Sequence, residues 1–197
     1  TLTSQTLNSE GTNDQIMTKI STPPWPNYKE EEIEAVNQVL RSGKVNYWTG
    51  QVTKDFETAF ASWCSTRHAI AVSNGTVALD LCLHGLGVGA HNGGDAEDEV
   101  IVTPRSFIAS ASVIINAGAT PVFVDVGADS QNIEAATIAE AITNRTKAII
   151  CVHLAGWPCD MDAIKQIVAS HNIKLIEDCA QAHGALYRGR PVGGLGD

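Results

Sequence analysis

The sequence has few basic residues and no long apolar run. It contains 13 Lys and Arg against 22 Asp and Glu, a formal net charge of −9. This balance argues against a protein that binds nucleic-acid phosphate backbones in general. The apolar runs are much shorter than the roughly 20 residues that span a bilayer, so no membrane segment is predicted. The first residues also lack the basic and apolar segments of a secretory signal.

Cysteine is present without the spacing that marks a disulfide framework or a metal site. The five cysteines are an odd number and form no Cys-x-x-Cys pair. This pattern favours free thiols in a reducing cytoplasm. A metal site built from Cys151, His153, Cys179 and His183 would match no zinc signature, and we predict that no metal is bound.

The chain does have a regular alternation of short apolar runs and helical patterns. Its 197 residues and 44% hydrophobic content suit one globular domain. The polar residues 1–24, closed by prolines, are predicted to form a flexible N-terminal arm, and the domain is predicted over 25–197. The stretch 87–99 is rich in glycine and acidic residues and is predicted to be a solvated loop.

Helices are predicted where apolar residues recur every three to four positions, and strands where they are nearly continuous. Two helices come first, one carrying Ile33 to Leu40 and ending near Gly43, the other carrying Phe56 to Trp63. The predicted strand and helix pairs then follow, at 68–72 and 76–86, 100–103 and 107–117, 121–126 and 134–143, 148–154 and 161–170, with a last strand at 174–177. This alternation indicates an α/β fold, a three-layer α/β/α sandwich with a mostly parallel central sheet.

Ligands of such sheets bind beyond the carboxyl ends of the strands, so the residues after each apolar run are candidates. Segment 73–76 lies between a strand and a helix, where free N–H groups suit a phosphate, although capping of the helix explains the same residues. Phe107 could stack on a planar ring or belong to the core. His153 could polarise a ligand group or be a structural histidine. These alternatives stay open on the sequence.

The strongest candidate is the pair Glu177 and Asp178, which closes the last apolar run. Alternation along a strand sends the two carboxylates to opposite faces. A carboxylate held at such a place favours a positively charged partner, while Asp178 could instead cap the following segment. The glycines at 85, 87 and 89 follow a helix and lack the third fingerprint glycine, so no dinucleotide-binding turn is predicted.

Together these segments resemble the DegT/DnrJ/EryC1/StrS sugar aminotransferases, which are pyridoxal-phosphate (PLP) enzymes of the aspartate aminotransferase fold, fold type I. The resemblance runs from about Tyr28 to Asp197. The matching segments, in the family's order, are SNGTVAL at 73–79, TPRSFIASA at 103–111, FVDV at 123–126, VHLAGWPCDMDAI at 152–164 and IEDCAQAHGA at 176–185.

The resemblance implies a role for each of five residues. The backbone amides of Gly75 and Thr76, with the Thr76 hydroxyl, would hold the cofactor phosphate. Phe107 would stack against the pyridine ring, Asp178 would pair with the protonated ring nitrogen, and Gln181 would hydrogen-bond near the ring hydroxyl. A second set of residues falls in matching or neighbouring segments and is predicted to contact substrate: Trp48, Thr49, His153 and His183.

The resemblance also implies a Schiff-base lysine soon after 193–197, and none of the seven lysines occupies that position. We therefore expect the front part of a longer enzyme, without its C-terminal small domain and inactive by itself. The intact protein is expected to transfer an amino group, from glutamate, to a keto group of a nucleotide-linked sugar. The resemblance places it in O-antigen, polysaccharide or antibiotic-sugar biosynthesis, in the cytoplasm, as a homodimer with its site at the interface.

Two alternatives stay open on the sequence. One is a dehydratase of the same family, in which histidine replaces the lysine. The other is a domain of a different class, either a non-catalytic binding domain without a cofactor or a nucleotide-binding α/β domain.

Overall fold

A computed structural model describes Pro24 and residues 26–197. The predicted N-terminal arm therefore lies, except for Pro24, outside the described residues. The described residues divide into two compact units, the first ending at residue 50 and the second spanning 51–197. The helices and strands occur in the following order: α1 Glu30–Ser42, α2 Val52–Cys64, α3 Gly75–Leu86, β1 Glu99–Val102, α4 Ala109–Asn116, β2 Thr120–Phe123, α5 Ala135–Ala141, β3 Thr146–Val152, α6 Met161–His171, β4 Lys174–Asp178, β5 Leu186–Tyr187 and β6 Arg190–Pro191.

The first unit contributes helix α1. Three glutamates at 30–32 occupy its first turn, where negative charge is favourable to the helix dipole. Gly43 ends the helix with φ of 66° and donates its N–H to the carbonyl of Leu40. Glycine adopts this left-handed conformation without steric cost. The predicted helix and its end near Gly43 are confirmed.

The second unit is built on a parallel four-stranded sheet. The strand order is β2-β1-β3-β4, and each neighbouring pair is parallel. Helices connect these strands, as parallel pairing requires. The predicted α/β fold with a mostly parallel sheet is confirmed.

Alternating side chains of the strands build two cores, one on each face of the sheet. Val100 and Val102 of β1 pack with residues of α3 and α4, whereas Ile101 packs with residues of α5 and α6. Strand β3 alternates in the same way, with Ile150 on the first face and Ile149 on the second. The helices therefore lie on both faces, which gives the three predicted layers.

The segment 68–72 is not a strand, contrary to the prediction. It pairs with no strand of the described part of the chain. Ile70 is 69% exposed, and the N–H of Ala71 donates to the side chain of Glu57 at 2.8 Å. A strand requires a hydrogen-bonded neighbour as well as an apolar pattern, and the pattern alone does not reveal whether the neighbour exists.

The predicted solvated loop at 87–99 is partly wrong. Asp98 and Glu99 at its end are buried. The Asp98 carboxylate accepts the N–H groups of Gly89 and Asp95, each at 3.0 Å, and Glu99 pairs with Arg145 at 2.6 Å. Burial is possible because each carboxylate has partners.

The hairpin of β5 and β6 was not predicted from the sequence at all.

Among the helices of the described residues, none combines the length and apolar character needed to cross a bilayer.

Candidate active site

Asp178 is the last residue of β4 and faces the layer formed by α3 and α4. The register places it opposite Val152, which belongs to the core on that face. One carboxylate oxygen accepts the hydroxyl of Ser110 in α4 at 3.0 Å, and the other accepts the N–H of Ala180 at 3.1 Å. Asp178 is half-buried and forms no ion pair with any described residue. The geometry therefore leaves a fixed negative charge at the strand end.

The start of α3 lies close to the segment that follows Asp178. A Cβ placed on Gly75 would lie 3.9 Å from the Cβ of Ala180. Asn74 caps the helix, because its side-chain oxygen accepts the N–H of Val77 at 3.0 Å. Within the described residues, the N–H groups of Gly75 and Thr76 have no partner. Capping and anion binding thus use different N–H groups, and both explanations of 73–76 fit together.

Phe107 precedes α4 and is 68% exposed, so it does not belong to the core. Its neighbour Ser106 hydrogen-bonds Ser110 at 2.8 Å, and Ser110 in turn donates to Asp178. Phe107 therefore belongs to the same short segment as Ser110, which binds the Asp178 carboxylate. Phe107 is not a core residue.

Gln181 connects the segment after β4 to the segment after β3. Its side-chain oxygen accepts the N–H of Ala155 at 2.8 Å. Ala155 has a positive φ of 52°, a conformation that non-glycine residues adopt rarely and mostly where the surroundings impose it. Gln181 is itself exposed. The arrangement places an amide at the carboxyl edge of the sheet.

A cavity of about 240 Å³ opens beside Asp178. Its lining includes Gly75, Asp178, Ala180 and His183. Apolar side chains of α2 and α3 also line it, as do Glu177 and Gly193. His183 is exposed, and its ring stands edge-on to Phe60 with 6.4 Å between the ring centroids. The cavity therefore brings three of the predicted site residues to one place.

His153, predicted as a substrate contact, is completely buried. Its Nε2 atom lies 3.0 Å from a carboxylate oxygen of Glu177, and its Nδ1 accepts the N–H of Cys159 at 3.1 Å. A substrate could reach neither nitrogen without displacing a protein hydrogen bond. The geometry supports the structural explanation of His153.

Glu177 lies on the opposite face from Asp178, as the alternation predicted. Its side chain is 3% exposed, and its oxygens also accept the N–H groups of Gly193, Leu195 and Gly196 at 3.0, 2.7 and 2.6 Å. Burial opposes its ionisation, but the hydrogen bonds from His153 and the three N–H groups outweigh burial and lower the pKa of Glu177 below its usual value.

Ligand atoms of His153, Glu177 and Cys179 all lie within 4.8 Å of one another, a distance that would suit a metal ion. Protons of neighbouring groups already point at the Glu177 oxygens and at the Nδ1 atom of His153. The cluster is therefore organised by hydrogen bonds, and a metal would have to displace them.

Trp48 and Thr49 belong to the first unit. Their backbone N–H groups both donate to the side-chain oxygen of Asn46, each at 3.0 Å. Trp48 is 87% exposed. The turn thus presents an aromatic side chain outward, and its role in a substrate site stays a prediction.

A model of the DegT/DnrJ/EryC1/StrS aminotransferase family matches residues 26–197. The chain belongs to this family.

Two curated relatives are similar over most of the chain. The chain is 46% identical to a dTDP-3-amino-3,6-dideoxy-alpha-D-galactopyranose transaminase of Aneurinibacillus thermoaerophilus, over 86% of this chain and 45% of the relative. It is 48% identical to a GDP-perosamine synthase of Caulobacter vibrioides, over 75% of this chain and 38% of the relative. The chain thus spans less than half the length of these relatives.

Solved structures of aminotransferases agree with the fold. An aminotransferase from Psychrobacter cryohalolentis matches with a TM-score of 0.83 and 55% identity, over 88% of this chain and 42% of that one. A Streptococcus pneumoniae protein, described as a sugar aminotransferase in its PLP-form, matches with a TM-score of 0.80 and 36% identity, over 87% and 46%. The fold is that of PLP-dependent aminotransferases.

The residues that the sequence reasoning missed are those that hold the site together. Ser110 contacts Asp178, and Gly193, Leu195 and Gly196 contact Glu177. Gly193, Leu195 and Gly196 act through backbone N–H groups, which a pattern of side chains does not reveal. The only sequence signal for this contact was the run of glycines at 193–196.

Proposed function

We propose that this chain supplies the cofactor-binding part of a PLP-dependent aminotransferase. The intact protein transfers an amino group from an amino-acid donor, glutamate, to a keto group of a nucleotide-linked sugar. The observation that carries the proposal is the half-buried Asp178 carboxylate, which has no cationic partner among the described residues and lies near the free N–H groups that begin α3.

The groups present fit the cofactor at both of its ends. A pyridinium nitrogen would supply the positive charge that a half-buried carboxylate favours. The N–H groups of Gly75 and Thr76, at the positive end of the α3 dipole, suit a phosphate. An exposed aromatic ring, Phe107, is available to lie against the pyridine ring. These three chemistries are those that PLP requires of a protein.

When bound, PLP acts as an electron sink for the carbon that carries the amino group. In this proposal Asp178 keeps a proton on the ring nitrogen, and Ser110 and the N–H of Ala180 fix the orientation of the Asp178 carboxylate. Gly75 and Thr76 bind the phosphate, while Gln181 orients the side of the ring that carries the hydroxyl.

The substrate class is proposed from the relatives. The two relatives described above are named for a dTDP-sugar and for a GDP-sugar, so a nucleotide-linked sugar fits both. We further propose that Trp48, Thr49 and His183 contact the substrate, that the enzyme is a homodimer with its site at the interface, and that it works in the cytoplasm. The five free cysteines are compatible with a reducing compartment.

The domain assignment is also proposed: residues 25–197 form the first part of the large domain. The GDP-perosamine relative supports a role in O-antigen or other polysaccharide biosynthesis.

The proposal is tested with the intact protein. The protein is incubated with PLP, L-glutamate and a panel of dTDP-linked and GDP-linked keto-sugars, and the products are identified by mass spectrometry. We expect 2-oxoglutarate and an amino-sugar, formed only with PLP. A deoxygenated sugar without net use of glutamate would identify the dehydratase, and a protein that takes up no PLP would identify a non-catalytic binding domain. Either result would overturn the proposal.

A further inference from the structure

We infer that His153 and Glu177 are positioning residues that fix the carboxylate of Asp178 from the far face of the sheet. The inference rests on the proposed function, because it assigns Asp178 to the cofactor ring nitrogen. It concerns two residues to which the proposed function assigns no contact with the cofactor or the substrate.

His153 holds the end of β4 at two points. Its backbone N–H donates to the carbonyl of Asp178 at 3.1 Å, and its Nε2 atom is 3.0 Å from the carboxylate of Glu177. The first contact lies in the plane of the sheet and the second lies on the face of α5 and α6. His153, which follows the neighbouring strand β3, therefore restrains both Glu177 and Asp178.

The hydrogen-bond partners of His153 determine where its proton lies. Nδ1 accepts the N–H of Cys159, so it cannot carry a proton in this arrangement. Nε2 therefore carries the proton and donates a hydrogen bond to the carboxylate of Glu177. The direction of each bond is fixed, and a change of tautomer would leave the N–H of Cys159 without an acceptor.

Glu177 extends this link to the glycine-rich segment 193–196. Four hydrogen bonds converge on its carboxylate, three from backbone N–H groups and one from His153. The side chain is 3% exposed, so water competes little with these bonds. The carboxylate joins the ends of β3 and β4 to the segment 193–196 directly behind Asp178.

This arrangement restricts the freedom of the Asp178 backbone. On the cofactor side, Ser110 and the N–H of Ala180 are the only described groups that hydrogen-bond its carboxylate. The orientation of a binding group depends on the surrounding residues that fix its main chain. The link through His153 and Glu177 supplies that support, whereas a purely packing role would not depend on which atoms donate and accept.

A double-mutant cycle in the intact protein tests the inference. The variants are Glu177→Gln, Asp178→Asn and the pair together, and the readouts are the dissociation constant for added PLP and urea unfolding without PLP. We expect Glu177→Gln to weaken PLP binding about tenfold in the native background and less than twofold when Asp178 is already asparagine. Equal losses in both backgrounds would overturn the inference, because Glu177 would then act independently of Asp178.

A matched pair of histidine variants gives a second test, which is needed if Glu177→Gln fails to fold. His153→Gln keeps a donor near Glu177, whereas His153→Asn keeps an acceptor for the N–H of Cys159. We expect His153→Gln to retain PLP affinity within threefold and His153→Asn to lose about tenfold. Equal affinities in the two variants, or the reverse order, would contradict the positioning role.

These outcomes separate the inference from the proposed function. If the native protein takes up no PLP, or if Asp178→Asn leaves PLP affinity unchanged, the assignment of the site itself fails. If Asp178→Asn weakens binding and the Glu177 and His153 variants do not, the proposed function stands and the positioning role is wrong.

Discussion

Glu177 and Asp178 are adjacent carboxylates, yet their surroundings differ because a strand turns successive side chains to opposite faces. Glu177 is enclosed by N–H groups and needs no further partner. Asp178 has one hydroxyl and one N–H, and it forms no ion pair within the described part of the chain. Asp178, the carboxylate without a cationic partner among the described residues, is therefore the one that faces the start of α3.

The first prediction concerns Asp178→Asn. Asparagine keeps the shape of the side chain but cannot hold a proton on a pyridine nitrogen, so turnover should fall by about two orders of magnitude or more. Steady-state kinetics of the intact protein measure this loss. Asp129→Asn, an exposed carboxylate in a loop, is the control and should retain turnover. Near-normal turnover of Asp178→Asn would contradict the assignment of its role.

The second prediction concerns Phe107→Ala. The ring is 68% exposed, so its removal should change the free energy of unfolding by less than about 1 kcal/mol. The loss of stacking should weaken PLP binding about tenfold, equivalent to about 1.4 kcal/mol. Phe123→Ala, another aromatic that is 53% exposed, is the control. If both variants lose affinity equally, Phe107 has no specific contact with the ring.

At the scale of the elements, strong local patterns gave correct predictions. Continuous apolar runs identified β1 and β3 because both faces of those strands are covered, and helical spacing identified α1 with its glycine stop. Asp178 was identified as a candidate because it ends such an apolar run. Local pattern and final structure agree in these elements because burial and secondary structure favour the same conformation. The start of α3 was also identified, but it follows segment 68–72, which has the pattern of a strand and is not one.

Elements that depend on distant partners were not predictable. The segment 68–72 has the pattern of a strand without a described neighbour, and the hairpin at 186–191 has little pattern of its own. Two residues with positive φ, Arg188 and Gly189, form the turn of that hairpin. Of these two residue types, only glycine indicates such a turn in a sequence. The Glu177 link was missed because it depends on main-chain donors.

The third prediction tests the central strand. Ile149 of β3 is fully buried, so Ile149→Ala should reduce the free energy of unfolding by about 2 to 5 kcal/mol through lost burial and a residual cavity. Ile115 of α4 is 61% exposed, and Ile115→Ala should cost less than about 1 kcal/mol. Urea unfolding measures both. Similar losses in the two variants would mean that β3 is not the centre of the core.

At the scale of the whole molecule, the fourth prediction is that stability depends on carboxylate ionisation. Burial works against ionised Glu177, and hydrogen bonds from His153 and backbone N–H groups more than compensate, so its pKa lies below the reference value of 4.5. A carboxyl group with a lowered pKa in the folded state stabilises the fold at pH values above its unfolded pKa. This stabilisation is lost as the pH falls through the folded pKa. Stability should therefore decline below about pH 4.5.

Urea unfolding of the native protein and of Glu177→Gln across this pH range measures the contribution. The variant should be less stable at neutral pH, and its stability should change less with acid. If the two proteins lose stability in parallel as the pH falls, the ionised state of Glu177 does not contribute to the fold.

The central claim is that the carboxyl edge of this sheet binds PLP through Asp178 and the start of α3. Its most direct test is titration of the intact protein with PLP, followed by absorbance in the visible range before and after borohydride reduction. The account predicts saturable binding of one PLP per chain, with a visible band that borohydride removes, and weaker binding by Asp178→Asn. A native protein that stays colourless and binds no PLP would contradict it.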